Sequence, residues 1–168
     1  MTFSLYQASV PVFLRALDNL TKVIEVGAAH AETRKIDPLV LTGARLYPDM
    51  FPFARQVQIA CDMVKGGAAR LAGIDPPPKA DTEKSFVELI ERIEWTAAFL
   101  RRFDAAQIDG AEERPITIKT PFGELHFTGQ NYLTNFVLPN LYFHSATAYN
   151  ILRHSGVELS KTHFLGKP

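Results

Sequence analysis

Four long segments of the chain repeat apolar residues every three or four positions, and this periodicity limits the possible folds more than any other feature. The segments span residues 9–27, 48–72, 82–103 and 129–154. Each predicts an amphipathic helix with one apolar face. Amphipathic helices of this length bury their apolar faces against one another. We therefore expect an all-α four-helix bundle that occupies residues 1–168 as one domain.

Two connections between these helices carry structure of their own. The first, residues 28–47, is long for a bundle and predicts a short helical turn at 38–42. Between the third and fourth helices, residues 116–118 and 125–127 alternate apolar and polar side chains around the turn sequence TPFG, which predicts a small β-hairpin. After Gly156 we expect the tail to pack back on the bundle in extended form.

The composition argues against several classes of protein. Eighteen basic residues balance eighteen acidic ones, whereas nucleic-acid-binding domains are usually basic. No apolar run approaches the roughly 20 residues of a membrane helix, and the N-terminus lacks the basic region of a signal peptide. The single cysteine, Cys61, excludes an internal disulfide and lies in an apolar stripe, where we expect a small hydrophobe rather than a nucleophile. We therefore expect a cytoplasmic protein without nucleic-acid or membrane partners.

The fourth helix carries two polar residues in the middle of its apolar face. At about 100° per residue, Asn140 and His144 lie one turn apart on the side that faces the core. Burying such groups costs stability unless each finds a hydrogen-bond partner. Two interpretations stay open: a hydrogen-bonded pair that fixes the helix register, or a pocket for a small molecule or metal ion. Pro139 predicts a kink that would open space beside both side chains, or else the start of the helix, with residues 129–138 forming a separate helical turn.

Two polar residues of the second helix complete the candidate pocket. Gln58 and Asp62 flank the apolar stripe and point either into a groove between helices or into water. With Asn140 and His144 they form the predicted pocket, in which we assign no catalytic residue. His144 is the only metal ligand we would assign, because the sequence contains no H-x-x-x-H, H-E-x-x-H or C-x-x-C motif.

The third helix has a second apolar stripe, formed by Trp95 and Phe99 on the side away from the core. Aromatic residues on an outer face are usually covered by another surface. Either the hairpin or the tail of the same chain covers them, or a second copy of the chain does. The second alternative predicts a homodimer.

Two stretches of the sequence resemble a known family. The sequence PNLYFHSATAYNILRHSG at residues 139–156 resembles the last helix of DinB/YfiT-like proteins, and ARLYPDMFPFARQVQIA at residues 44–60 accompanies it. With KIDP at 35–38 and FLG at 164–166, they resemble an uncharacterised bacterial family placed beside the DinB/YfiT-like metalloenzymes. The resemblance implies a four-helix bundle in up-down-down-up order, often dimeric.

The resemblance also implies where a metal ion would bind. The superfamily takes one histidine from the second helix and an H-x-x-x-H pair from the fourth. These positions fall on Gln58, Asn140 and His144, so that one of three ligands remains. Amide oxygens are poor ligands for zinc or nickel, and we therefore expect no stoichiometric transition metal and no other cofactor.

Three functions fit these observations. The first is a bundle with a degenerate metal site that binds a small molecule in its interior. The second is a transferase or hydrolase of the superfamily type, which uses a weakly held metal or His144 itself as a general base. The third is a dimeric interaction protein without a ligand. An open cleft at Gln58, Asn140 and His144 would favour the first two, and a closed interior the third.

Overall fold

The computed structural model describes residues 4–167, which form helices and one β-hairpin. In chain order the elements are α1 (Leu5–Ala8), α2 (Val10–Arg34), α3 (Pro38–Thr42), α4 (Phe53–Leu71), α5 (Phe86–Leu100), α6 (Ala105–Ile108), β1 (Pro115–Thr120), β2 (Gly123–Thr128), α7 (Gly129–Tyr132), a π-helical turn (Leu133–Val137), α8 (Leu138–His154) and α9 (Lys161–Leu165). The four longest helices, α2, α4, α5 and α8, pack around a common apolar core. The predictions of a mostly helical fold, of the helical turn and of the hairpin are confirmed.

The predicted hairpin forms a two-stranded antiparallel sheet. Strands β1 and β2 pair antiparallel, with Ile116 opposite Phe127 and Ile118 opposite Leu125. Ile116 is buried, so the alternation of apolar and polar residues in β1 reflects one face that is turned to the core.

Within the described part of the chain, no helix combines the length and the apolar character needed to cross a membrane.

Glycines allow the long helices to approach one another closely. A Cβ atom on Gly67 in α4 would lie 2.9 Å from the Val137 side chain and 3.3 Å from the Phe13 ring. A Cβ atom on Gly27 in α2 would lie 2.8 Å from the side chain of Leu152 in α8. Because 2.8 and 2.9 Å are too short for real Cβ atoms, a larger residue at either position would force the packed neighbours to move.

The ends of α2 and α4 differ from the prediction. Ser9 precedes α2 as predicted, but the helix continues to Arg34, which shortens the connection to residues 35–52. Helix α4 begins at Phe53, five residues later than predicted, because Pro52 disfavours helical backbone at the residue before it.

Helix α5 also begins later than the predicted cap at Asp81 or Thr82. The Ser85 hydroxyl accepts the N–H of Glu88 at 3.2 Å, and the Glu88 carboxylate accepts the N–H of Ser85 at 2.8 Å. This reciprocal capping pair satisfies two backbone donors that would otherwise lack partners. Asp81 and Glu83, which precede this capping pair, bind Arg92 instead.

The tail ends in a short helix, and the prediction of an extended tail is wrong. The N–H of Ser160 donates to Nδ1 of His163 at 2.9 Å, which caps α9. The ring of Phe164 packs edge-on against Tyr149 of α8, with ring centroids 6.1 Å apart. Helix α9 therefore lies against both α2 and α8.

At the predicted disturbance around Pro139, a π-helical turn precedes the start of α8. Residues Leu133–Val137 form this turn directly before the proline, and the N–H of Leu138 donates to the carbonyl of Leu133. Pro139 has no N–H and would crowd the carbonyl of Asn135 in a regular α-helix. A single wider turn is a common way to accommodate such a disturbance.

We predict that Gly67→Ala destabilises the protein by about 1–2 kcal/mol, although alanine favours helices over glycine by about 1 kcal/mol. The added methyl group meets packed side chains of α2 and the π-helical turn. Gly66→Ala is the matched control, because its methyl group meets the flexible end of Arg70 and lies 3.7 Å from the Tyr132 hydroxyl, without entering the packed apolar core. Urea unfolding measures both. Equal stabilisation by the two substitutions would show that Gly67 does not set the helix spacing.

Candidate functional site

His144 lies at the centre of a hydrogen-bonded chain that joins α8 to α4. Its side chain is buried, and Nδ1 lies 2.7 Å from Oε1 of Gln56. Nε2 of Gln56 donates to the carbonyl of Phe51 at 3.0 Å, which fixes the orientation of the amide. Because the amide oxygen then faces the imidazole, Nδ1 must carry the proton and donate it. In the neutral ring, Nε2 is left as an acceptor.

The surroundings of His144 favour its neutral form. Burial lowers the pKa of His144 below its usual value, and the positive charge of Arg55 lowers it further. A neutral imidazole can accept a proton or a hydrogen bond at Nε2. The arrangement can therefore supply a base or a single nitrogen ligand.

Asn140 does not pair with His144. It is half-buried, and its amide nitrogen donates to the carbonyl of Phe136 at 2.7 Å, within its own helix. Pro139 removes one backbone donor from this turn, and the Asn140 side chain supplies a donor to the neighbouring carbonyl. The hydrogen-bond partner of His144 is therefore Gln56 of α4, and not Asn140 of its own helix.

Gln58 and Asp62 lie in a second polar cluster. Nε2 of Gln58 donates to Glu83 at 3.1 Å. Asp62 accepts from Nζ of Lys65 at 2.8 Å and from Nη2 of Arg92 at 3.1 Å. The structure therefore brings His144 together with Gln56, whereas Gln58 and Asp62 bind residues of α5 and of the segment before it.

Arg92 is the centre of this second cluster, and sequence reasoning missed it. Its side chain is 1% exposed. Nη1 donates to both carboxylate oxygens of Glu83 at 3.0 and 3.1 Å and to the carbonyl of Ala80 at 3.0 Å, while Nη2 lies 2.9 Å from Asp81. Its Nε has no partner among residues 4–167. A signal for this cluster is present in the sequence: Asp81 and Glu83 come just before α5, and Arg92 follows about two turns into that helix.

The donor atoms around His144 do not fit the metal site that the resemblance implies. Among the residues that the structure describes, no three His, Cys, Asp or Glu side chains are grouped closely enough to hold a metal ion. His144 meets an amide, and amide oxygens are poor ligands for zinc or nickel. Cys61 is buried, and burial raises the pKa of its thiol to about 12, so that it stays protonated.

A well-formed cavity lies elsewhere, between α2, α8 and α9. Its volume is about 500 Å³. It is lined mainly by apolar side chains: Val12, Ala16, Leu20, Val23, Phe164 and Leu165. Neither His144 nor the other predicted pocket residues line it, but the next residue, Ser145, does. The apolar periodicity does not predict this cavity, because one of its walls, α9, falls in the tail, where no helical repeat is visible.

The predicted dimer surface on α5 is largely covered by the same chain. Phe99 is buried and contacts the ring of Phe103 edge-on, with centroids 5.1 Å apart. Trp95 is half-buried beneath the ammonium groups of Lys65 and Lys79, which lie 5.8 and 5.4 Å from its ring centroid. The two rings therefore do not form a free aromatic face.

We predict that the neutral His144 makes stability depend on pH. Its pKa is lowered in the folded state, so the unfolded chain binds more protons below about pH 6.5 and stability falls as the pH falls from there to the lowered pKa. His144→Gln removes this dependence and flattens the curve. Urea unfolding at several values from about pH 7.5 to about pH 5.5 measures the difference. Parallel curves for the two proteins would contradict a neutral, buried His144.

Comparisons with known proteins agree with this fold. A crystal structure of a DinB family member protein from Shewanella denitrificans is 40% identical in sequence, with a TM-score of 0.90, and the match covers 98% of this chain and 93% of that one. No curated protein matches the chain. The family model described as "Domain of unknown function (DUF1993)" matches residues 5–165. The chain therefore belongs to the DUF1993 family, an uncharacterised family with a DinB-like fold.

Proposed function

We propose that the protein binds a small apolar molecule without the help of a metal ion, in the cavity between α2, α8 and α9. The observation that carries this proposal is the cavity itself. Its volume of about 500 Å³ lies within the range of roughly 300–1,000 Å³ that is usual for small-molecule sites, and its lining is mainly apolar.

The degenerate metal site has, in this proposal, become a structural contact. Gln56 occupies Nδ1 of His144 and is itself held by the carbonyl of Phe51. All three groups lie at the junction of α4 with α8 and the preceding loop. The chain of bonds supports a role in fixing the two helices rather than in binding a ligand.

The bundle order that accompanies this function is up-down-down-up within one domain. Three contacts support it. The ring of Phe53, which begins α4, meets Phe86, which begins α5, with centroids 5.9 Å apart. Near the end of α4, Gly67 lies against Phe13 from the start of α2 and Val137 from just before α8. These pairings fit α5 parallel to α4, with α2 and α8 antiparallel to it.

An enzyme based on His144 is the second candidate. The observation in its favour is the neutral imidazole, whose Nε2 can accept a proton. A substrate would have to reach this nitrogen at a side chain that is only 8% exposed. We place binding before catalysis, because the cavity between α2, α8 and α9 is lined mainly by apolar side chains and does not include His144.

The homodimer stays a prediction. Since the aromatic stripe of α5 is covered, a dimer would need another surface. The structure offers exposed apolar residues on α3 and the loop after it: Leu39, Val40, Tyr47 and Phe51.

We predict saturable binding of the uncharged fluorophore N-phenylnaphthylamine, followed by its fluorescence increase. Ala16→Phe fills the cavity and weakens this binding about tenfold or more. Ala29→Phe is the matched control, because Ala29 lies on the same helix but faces solvent. Absence of saturable binding to the natural protein, or equal binding by the two folded variants, would contradict the proposed function.

A further inference from the structure

Four polar residues line the cavity, and one of them is charged. Arg15, Asn19, Tyr142 and Ser145 line it among apolar residues, and no acidic side chain belongs to the lining. Among residues 4–167, the guanidinium of Arg15 is therefore the only formal charge in the lining. An anionic group would meet attraction there and no opposing carboxylate.

The C-terminal tail holds the guanidinium of Arg15 in position at the cavity. Its Nη2 donates to the carbonyls of Leu165 and Lys167, each at 3.2 Å. These bonds use the donors of one nitrogen out of the three in a guanidinium. Arg15 is exposed, so an anion bound to it need not be fully stripped of water.

Ser145 supplies an unpartnered polar group. The residue is 5% exposed, and its Oγ has no hydrogen-bond partner among the residues from 4 to 167. Buried hydroxyls in native folds almost always have a partner, so a lone one in a cavity wall calls for an explanation. A bound oxygen atom would complete it.

The cavity extends along about three turns of α2. Its α2 wall runs from Val12 to Val23, a distance of about 16 Å at 1.5 Å per residue. Leu20 and Val23 lie on this wall beyond Arg15 and Asn19. An extended hydrocarbon body fits this stretch better than a compact one.

We propose that the cavity binds a monocarboxylic acid with an extended apolar body, whose carboxylate meets Arg15 and Ser145 while the body lies along α2. This inference rests on the proposed function and adds the chemical class of the ligand. A carboxylate matches the planar fork of an arginine and can accept a hydrogen bond from a serine at the same time. A single cation in an apolar wall suits one negative charge on an apolar molecule.

Displacement of N-phenylnaphthylamine from the full-length protein tests the ligand class, with decanoate and decanol as matched competitors. Arg15→Gln should weaken decanoate about tenfold or more and leave decanol within about threefold, because only the carboxylate loses a charged partner. Ser145→Ala should weaken decanoate about threefold or more. Arg34→Gln, at the exposed end of α2 outside the cavity, is the control and should change neither competitor.

The outcomes separate the two proposals. Displacement by decanol as strong as by decanoate, or an equal effect of Arg15→Gln on both, would overturn the carboxylate class while the fluorophore still binds. A fluorophore that does not bind the natural protein at all would overturn the proposed function, and the ligand class with it.

Discussion

The hydrogen bond between Gln56 and His144 determines the chemistry at the centre of this bundle. It joins α4 to α8 at 2.7 Å, and the carbonyl of Phe51 holds the amide in the orientation that it needs. An imidazole that donates from Nδ1 to an amide and stays neutral has no need of a metal ion to satisfy it. In this DinB-like fold, the junction of α4 and α8 is thus held by a contact between an amide and an imidazole.

A second group of interior polar side chains is arranged around Arg92. Arg92 gathers the carboxylates of Asp62, Asp81 and Glu83, and so ties the segment before α5 to both α4 and α5. A buried arginine needs such a set, because an unpaired charge away from water is very costly. This cluster takes up two of the four side chains that were predicted to form a pocket, Gln58 and Asp62.

Periodicity predicted the long helices and the hairpin, because each depends on its own segment. Periodicity did not predict which side chains of two different helices face each other. Gln56 and Gln58 differ by about 200° around α4, but both are buried, since 13 of the 19 residues of this helix are buried. A helix surrounded on most sides gives no sequence signal for which side meets α8. The tail was missed for a local reason, since Ser160 and His163 form a capping pair that apolar spacing does not report.

The nitrogen chemical shifts of the His144 ring test the central claim most directly. A long-range proton–nitrogen correlation spectrum, recorded with and without one equivalent of Zn²⁺, reports which nitrogen carries the proton. We expect a neutral ring protonated at Nδ1, unchanged by zinc, with the signals assigned through His144→Gln. A ring protonated at Nε2, or a shift of its signals on addition of the metal, would contradict the account.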